Sequence, residues 1–145
     1  MSNDDDGRDP AHRVPPGVSD AVVEALGKLS EALETTERAR GHLYDFHQAT
    51  GHADLQLDEA VEQLRAAGAQ ELADRIETEL VGRNVVAGRW TFQIVEDYDD
   101  NYWSLFRALE KSARDDLAAG VRHLYEARLK QSERTEGSPG HAAQP

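Results

Sequence analysis

The segment GHLYDFHQATGHAD, at positions 41–54, places three histidines at five-residue intervals. They are His42, His47 and His52, and the carboxylate of Asp45 lies between the first two. Imidazole and carboxylate groups are ligands for zinc and similar cations. Imidazole is also the side chain that most often serves as a general base. The segment could therefore form a metal site or part of a catalytic site, depending on where each side chain points.

Helical geometry separates these three histidines, because successive residues of a helix turn by about 100°. His47 continues the apolar stripe of the helix that contains it. His42 points to the opposite face, where it can pair with Asp45, three residues further on, on the solvent side. His52 follows Gly51 at the expected end of the helix. His47 alone turns inward, and a lone inward histidine is usually a core residue whose ring nitrogens bond a carbonyl or carboxylate.

The stripe that positions His47 predicts a long first helix. Its members alternate at spacings of four and three residues, which is the pattern of one helical face. They are Val22, Leu26, Leu29, Leu33, Thr36, Arg40, Leu43 and His47. Ser19 or Asp20 can cap the first turn, and Gly51 is a natural stop. We therefore expect a helix of about 30 residues.

Two short helices and a second long helix are expected after Gly51. Asp54 can cap the first short helix, and Gly68 separates it from the next. The segment VGRNVVAGRW, at positions 81–90, breaks the helical period and predicts an irregular loop. A long apolar stripe then runs from about Trp90 to Leu124 and predicts the second long helix. No glycine or proline interrupts this stripe before Gly120.

These elements predict an all-α fold, an antiparallel helical bundle of two long helices plus a short helical hairpin. We expect one bundle domain at residues 19–130. Residues 1–18 and 131–145 are expected to be disordered tails, the first of them acidic, because neither can bury enough apolar surface to offset the entropy of ordering. A dimer would cover whatever stripe of the long helices remains exposed.

An antiparallel alignment places the start of the last helix beside His47. That start, TFQIVEDYDDNYW, is rich in aromatic and acidic residues. Arg40 lies on the stripe of the first helix, where a charge is costly unless it is paired. Asp99 lies at the border of the opposite stripe. We therefore predict an Arg40–Asp99 ion pair, which could fix the register of the two long helices.

The same alignment predicts a candidate ligand pocket between the long helices. Polar and aromatic side chains converging inside a bundle are typical of a pocket, although an ordinary wet core has the same composition. The candidate ligand-binding residues are Tyr44, His47, Arg89, Tyr98, Asp99 and Tyr102. No cofactor is predicted, and the alternative is a metal ion shared by His47 and Asp99.

The segment 81–95 contains no acidic residue but holds Arg83 and Arg89. Arginines in a loop before a helix could receive an anion. Alternatively, both arginines tie the loop to neighbouring carboxylates such as those of Glu79 and Glu96.

Composition narrows the classes of partner. The formal net charge of −12 argues against nucleic-acid binding, which needs clustered lysine and arginine. The chain has no cysteine and no apolar run near the roughly 20 residues of a membrane span. Its first residues, MSNDDDGRDP, do not form a secretory signal. We therefore expect a cytoplasmic protein that binds neither membrane nor nucleic acid.

The segments GHLYDFHQATGHAD and ELVGRNVVAGRWTFQIVEDYDDNYW resemble an uncharacterised family of small acidic helical proteins from actinobacteria. The resemblance covers about residues 40–107, and the second segment is the more specific. It implies a helical fold. It implies no activity, cofactor or site residue.

The leading functional hypothesis is a non-enzymatic soluble helical protein that acts by protein–protein association, as a homodimer or an adaptor. The chain has no nucleophile-elbow serine, no cysteine and no phosphate-binding loop. The alternative is a small-molecule or metal-binding bundle with its pocket around His47 and Asp99.

Overall fold

The computed structural model describes residues 9–144, which are helical over most of their length. A 3₁₀ turn at Pro10–His12 precedes α1 (Asp20–Ala66), α2 (Gln70–Glu79), α3 (Thr91–Asp97), α4 (Ser104–Ala118) and α5 (Leu124–Glu133). A π-helix, Tyr98–Trp103, joins α3 to α4 without a break. The described part of the chain has no strand, only an isolated antiparallel bridge between Val86 and Arg89. The predicted all-α fold is confirmed.

Helix α1 is longer than predicted. Ser19 caps it, since its hydroxyl oxygen lies 3.2 Å from the backbone nitrogen of Val22. The helix then continues for 47 residues and passes through Gly51. The predicted stop at Gly51 is wrong, because a glycine inside a helix costs only about 1 kcal/mol relative to alanine. Asp54 therefore caps no second helix, and its carboxylate accepts the N–H of Gly82 at 2.9 Å.

The short helical hairpin consists of the last turns of α1 and the whole of α2. Gly68 provides the turn with a φ of 86°. Arg65, in the last turn of α1, bonds both Asp74 and Glu77 of α2. These contacts hold the two arms of the hairpin together.

The second long helix ends earlier than predicted. Its α4 portion stops at Ala118, and Ala119 and Gly120 adopt left-handed φ values of 51° and 77°. The N–H of Gly120 donates to the carbonyl of Arg114 at 3.0 Å. The chain therefore turns here, and the predicted continuation to Leu124 is wrong because Leu124 begins the separate helix α5.

The chain forms two compact units. The terminal unit comprises Met1–Thr35 and Ser104–Pro145, and the central unit comprises Thr36–Trp103.

In the terminal unit α1 runs antiparallel to α5, since Glu24 lies near Arg128 and Gly27 lies near Tyr125. In the central unit His47 of α1 contacts Thr91. There α1 runs antiparallel to the segment 91–103, since Arg40 pairs with Asp99 further along that segment.

The core of the terminal unit is small. Val23, Ala118 and Leu124 are buried, and partly buried side chains surround them, namely Val14, Val18, Leu26 and Val121. Val14 and Val18 come from the predicted N-terminal tail. Residues 1–8 and 145 of the predicted tails lie outside the described residues, and the domain boundaries stay predictions.

Helix α5 approaches α1 closely within the terminal unit. A Cβ atom placed on Gly27 would lie 2.6 Å from both Cβ and Cγ of Tyr125. Arg128 lies 3.4 Å from the Glu24 carboxylate. Gly27 therefore allows the close approach of the two helices.

None of the helices within residues 9–144 combines the length and the apolar character that crossing a membrane would need.

Candidate functional site

The central unit contains the predicted ion pair. Helix α1 carries Arg40 and the π-helix carries Asp99. The guanidinium Nε lies 2.6 Å from Asp99 Oδ1, and Nη2 lies 2.9 Å from Oδ2. The side chains are only 28% and 21% exposed, respectively. These hydrogen bonds hold the pKa of the Asp99 carboxyl below its usual value and raise the pKa of Arg40.

Aromatic rings surround the guanidinium of Arg40. It lies 4.1 Å from the ring centroid of Trp103 and 4.9 Å from that of Tyr44. Both distances are in the range of cation–π contacts. Both oxygens of Asp99 are engaged by Arg40, so this carboxylate is poorly placed to accept a proton or bind a metal at neutral pH.

Tyr98 and Tyr102 lie beside this pair. The Tyr98 hydroxyl donates to the backbone carbonyl of Thr36 at 3.3 Å, and Thr36 is buried. Burial raises the pKa of Tyr98 above its usual value, so the phenol stays a hydrogen-bond donor. The rings of Tyr98 and Tyr102 are 5.5 Å apart, and Tyr102 is exposed.

His47 has a different partner from those expected. Its Nδ1 lies 2.6 Å from the Thr91 hydroxyl oxygen, at the start of α3. Asp99 and His47 thus bond to separate groups. Among residues 9–144 no three histidine, aspartate or glutamate side chains are grouped so as to hold a metal ion. The antiparallel alignment had placed this hydroxyl within reach of residue 47, but an uncharged hydroxyl gave no reason to choose it.

The remaining sequence-predicted residues lie at the surface. Arg89 pairs with Asp97, and both side chains are about half exposed. The sequence predicted a neighbouring carboxylate such as that of Glu79 or Glu96 as the partner, and the carboxylate that pairs with Arg89 is that of Asp97. His42 and His52 are exposed, as is Asp45.

A groove that the sequence analysis missed lies in the central unit. Its volume is about 610 Å³, and it runs between α1 near Leu57 and the loop that follows α2. The apolar lining includes Leu57, Leu80, Val85 and Trp90, and the polar lining includes Arg83 and Asn84. The groove was not predicted because the first helix was expected to end at Gly51, whereas one wall of the groove is the part of α1 that follows Gly51.

Arg83 differs from four other arginines of the central unit in having no ion pair with a carboxylate of the described residues. Salt bridges to carboxylates engage Arg40, Arg65, Arg75 and Arg89. For Arg83, the described residues provide no such carboxylate. The two loop arginines therefore differ, since Arg89 is neutralised by Asp97 while Arg83 lines the groove.

Comparison of the chain with protein-family models, with curated proteins and with solved structures gives no match. The resemblance to small acidic actinobacterial proteins stays an expectation from the sequence.

Proposed function

We propose that this protein is non-enzymatic and acts by protein–protein association, in the first instance as a homodimer. The observation that supports the proposal is the distribution of its apolar side chains. Within residues 9–144 six apolar residues are buried, whereas fifteen large apolar side chains are exposed. Where such side chains are contiguous, they are typical of an interaction surface.

One face of α4 carries a regular part of this surface. Leu105, Leu109 and Leu117 are 56%, 58% and 49% exposed. They are separated by multiples of four residues, with Ala113 in the remaining position, and so form one ridge along the helix. We call these four residues the α4 ridge. Ridges of this spacing pack into the grooves between the ridges of another helix, which is the commonest form of helix–helix packing.

The partners of the candidate catalytic groups also support a non-enzymatic role. Asp99 is held by Arg40, His47 by Thr91 and Tyr98 by the carbonyl of Thr36. Each of these titratable side chains thus has a structural partner within the central unit.

Charge sets the type of contact expected in the dimer. Two copies with a net charge of −12 repel each other. Association must therefore rest on apolar contact strong enough to outweigh this repulsion. An acidic surface and a chain without cysteine suit a soluble cytoplasmic homodimer or adaptor.

Sedimentation equilibrium over a range of concentrations tests the proposal. The wild-type protein should show a reversible monomer–dimer equilibrium. Leu109→Glu places a charge on the α4 ridge and should raise the dimer dissociation constant at least about tenfold. Ala108→Glu adds the same charge at an exposed position of α4 that is not part of the α4 ridge and lies about 100° around the helix from Leu109, and it should change the constant much less.

Two results would overturn the proposal. The first is a wild-type protein that remains monomeric up to about 100 μM, because a contact that weak supplies little more than about 5 kcal/mol. The second is an equal effect of Leu109→Glu and Ala108→Glu, which would mean that added charge and not the α4 ridge controls association.

A further inference from the structure

We propose that the groove beside α1 in the central unit binds a small carboxylate that carries an apolar tail. This binding function is separate from association through the α4 ridge. The proposal rests on the size of the groove, its apolar walls and the position of Arg83.

The size of the groove suits a small molecule. Its volume of about 610 Å³ falls within the range of roughly 300–1,000 Å³ that is usual for ligand pockets. A helix is about 10–12 Å across with its side chains and rises about 5.4 Å per turn, so this volume would hold only about one helical turn. The occupant is therefore smaller than a folded protein segment.

The walls of the groove favour an apolar body. Leu57 is contributed by α1, and Leu80, Val85 and Trp90 come from the end of α2 and the following loop. Val85 is 53% exposed and Trp90 is 56% exposed, although both residue types are more often buried. An aliphatic or aromatic ligand would remove this surface from water, which is favourable in proportion to the area covered.

Arg83 favours a negative charge at one end of the ligand. A guanidinium can bond a carboxylate through two parallel hydrogen bonds. The carboxylate of Asp54 also lines the groove, but it accepts the N–H of Gly82 and forms no salt bridge with Arg83. The amide of Asn84 adds a further donor. The groove therefore combines an apolar wall with an arginine that has no carboxylate partner.

A carboxylate fits this arrangement better than a phosphate. Phosphate sites generally combine several cationic side chains or several backbone N–H groups directed at one point. Here Arg89, the other arginine of the loop, is already paired with Asp97. One guanidinium matches one carboxylate in both charge and shape.

Isothermal titration calorimetry of the full chain tests the proposal with octanoate as the probe. Uncharged 1-octanol has the same chain length and serves as the reference ligand. Octanoate should bind at least about tenfold more tightly than 1-octanol. Arg83→Gln should remove this preference. Arg75→Gln is the matched control, because Arg75 is an exposed arginine of the same unit that pairs with Glu79 outside the groove, and it should retain the preference.

Three outcomes would overturn the proposal. They are no binding of octanoate by the wild-type protein up to about 5 mM, equal affinities for octanoate and 1-octanol, and an unchanged preference in Arg83→Gln. Val85→Ser provides a second measurement, since Val85 lies in an exposed loop where substitution should not prevent folding. Val85→Ser should weaken the binding of both octanoate and 1-octanol. Unchanged affinity for both would show that they bind outside the groove.

Discussion

The ion pair between Arg40 and Asp99 shows how one side chain of this protein constrains another. Arg40 occupies the apolar stripe of α1, and Asp99 supplies both oxygens to its guanidinium. Removing one partner of a mostly buried pair leaves the other without compensation for its lost hydration. Removing either member alone should therefore destabilise the central unit, because the other member then stays mostly buried without its charged partner.

Asp99→Asn should lower the free energy of unfolding by about 1–3 kcal/mol at pH 7, because Arg40 loses its charged partner. The pKa of Asp99 is lowered in the folded protein. A carboxyl with a lowered folded pKa stabilises the protein above its unfolded pKa, near 3.9, and this contribution is lost as pH falls through the folded pKa. Chemical denaturation followed by circular dichroism at pH 7 and below pH 3 measures both effects.

The difference in the free energy of unfolding between wild type and Asp99→Asn should thus be smaller below pH 3 than at pH 7. Glu96→Gln is the matched control, since it removes one negative charge from an exposed position in α3. It should change stability by less than about 0.5 kcal/mol at pH 7. Equal effects of Asp99→Asn and Glu96→Gln would contradict a specific role for the ion pair.

The sequence contained enough information to select Arg40 and Asp99 as partners, because a charge on an apolar stripe requires a counter-charge nearby. It did not contain enough to select Thr91 as the partner of His47. A neutral imidazole can bond a carbonyl, a carboxylate or a hydroxyl, so its burial alone leaves the partner open. The sequence also did not show that Arg89 would pair with Asp97 while Arg83 forms no salt bridge with a described carboxylate.

At the level of helices, the glycines of α1 have different surroundings. Gly27 faces Tyr125 of α5, whereas Gly41 and Gly51 have no atom within 4 Å of a position that a Cβ would occupy. All three lie within the same continuous helix. Replacing each glycine by alanine adds the same methyl group, so the change in stability should differ among the three positions only because their surroundings differ.

Gly27→Ala should destabilise the protein by about 1–3 kcal/mol, because the added methyl would lie 2.6 Å from two Tyr125 atoms close to the backbone. Moving α5 away from α1 would relieve the overlap and weaken packing in the terminal unit. Thermal unfolding followed by circular dichroism measures the change. Stabilisation by Gly27→Ala would contradict a close approach of α5 to α1 at this residue.

Gly51→Ala is the control for that substitution, and it should stabilise the protein by about 0.5–1 kcal/mol. The gain is expected because alanine favours the helix and meets no neighbouring atom. A loss of stability in Gly51→Ala would indicate that α1 ends near this residue.

Local sequence could not distinguish the glycines that end helices from those that do not. Gly68 and Gly120 adopt positive φ values and lie at turns, but Gly51 does not. The helix continues after Gly51, and Val61 on its later turns is buried while Leu57 is partly buried. The all-α class was predictable from period alone, whereas the position of each break depended on tertiary packing.

For the whole molecule, net charge and apolar surface act in opposite directions on association. The dissociation constant of the proposed dimer should fall as ionic strength rises from about 0.02 M to about 0.5 M, because the Debye length shortens from roughly 20 Å to about 4 Å and the repulsion between copies is screened. Sedimentation equilibrium at several salt concentrations measures this dependence. A dissociation constant that rises with salt would instead indicate an interface held by ion pairs.

Both tryptophans of the chain, Trp90 and Trp103, belong to the central unit. Indole emission excited at the red edge of the absorption band therefore reports only on that unit, while far-ultraviolet circular dichroism reports on helices throughout the chain. If the two signals change at the same denaturant concentration, the units unfold as one cooperative system. If they separate, any stability derived from tryptophan emission alone describes residues 36–103 and not the whole protein.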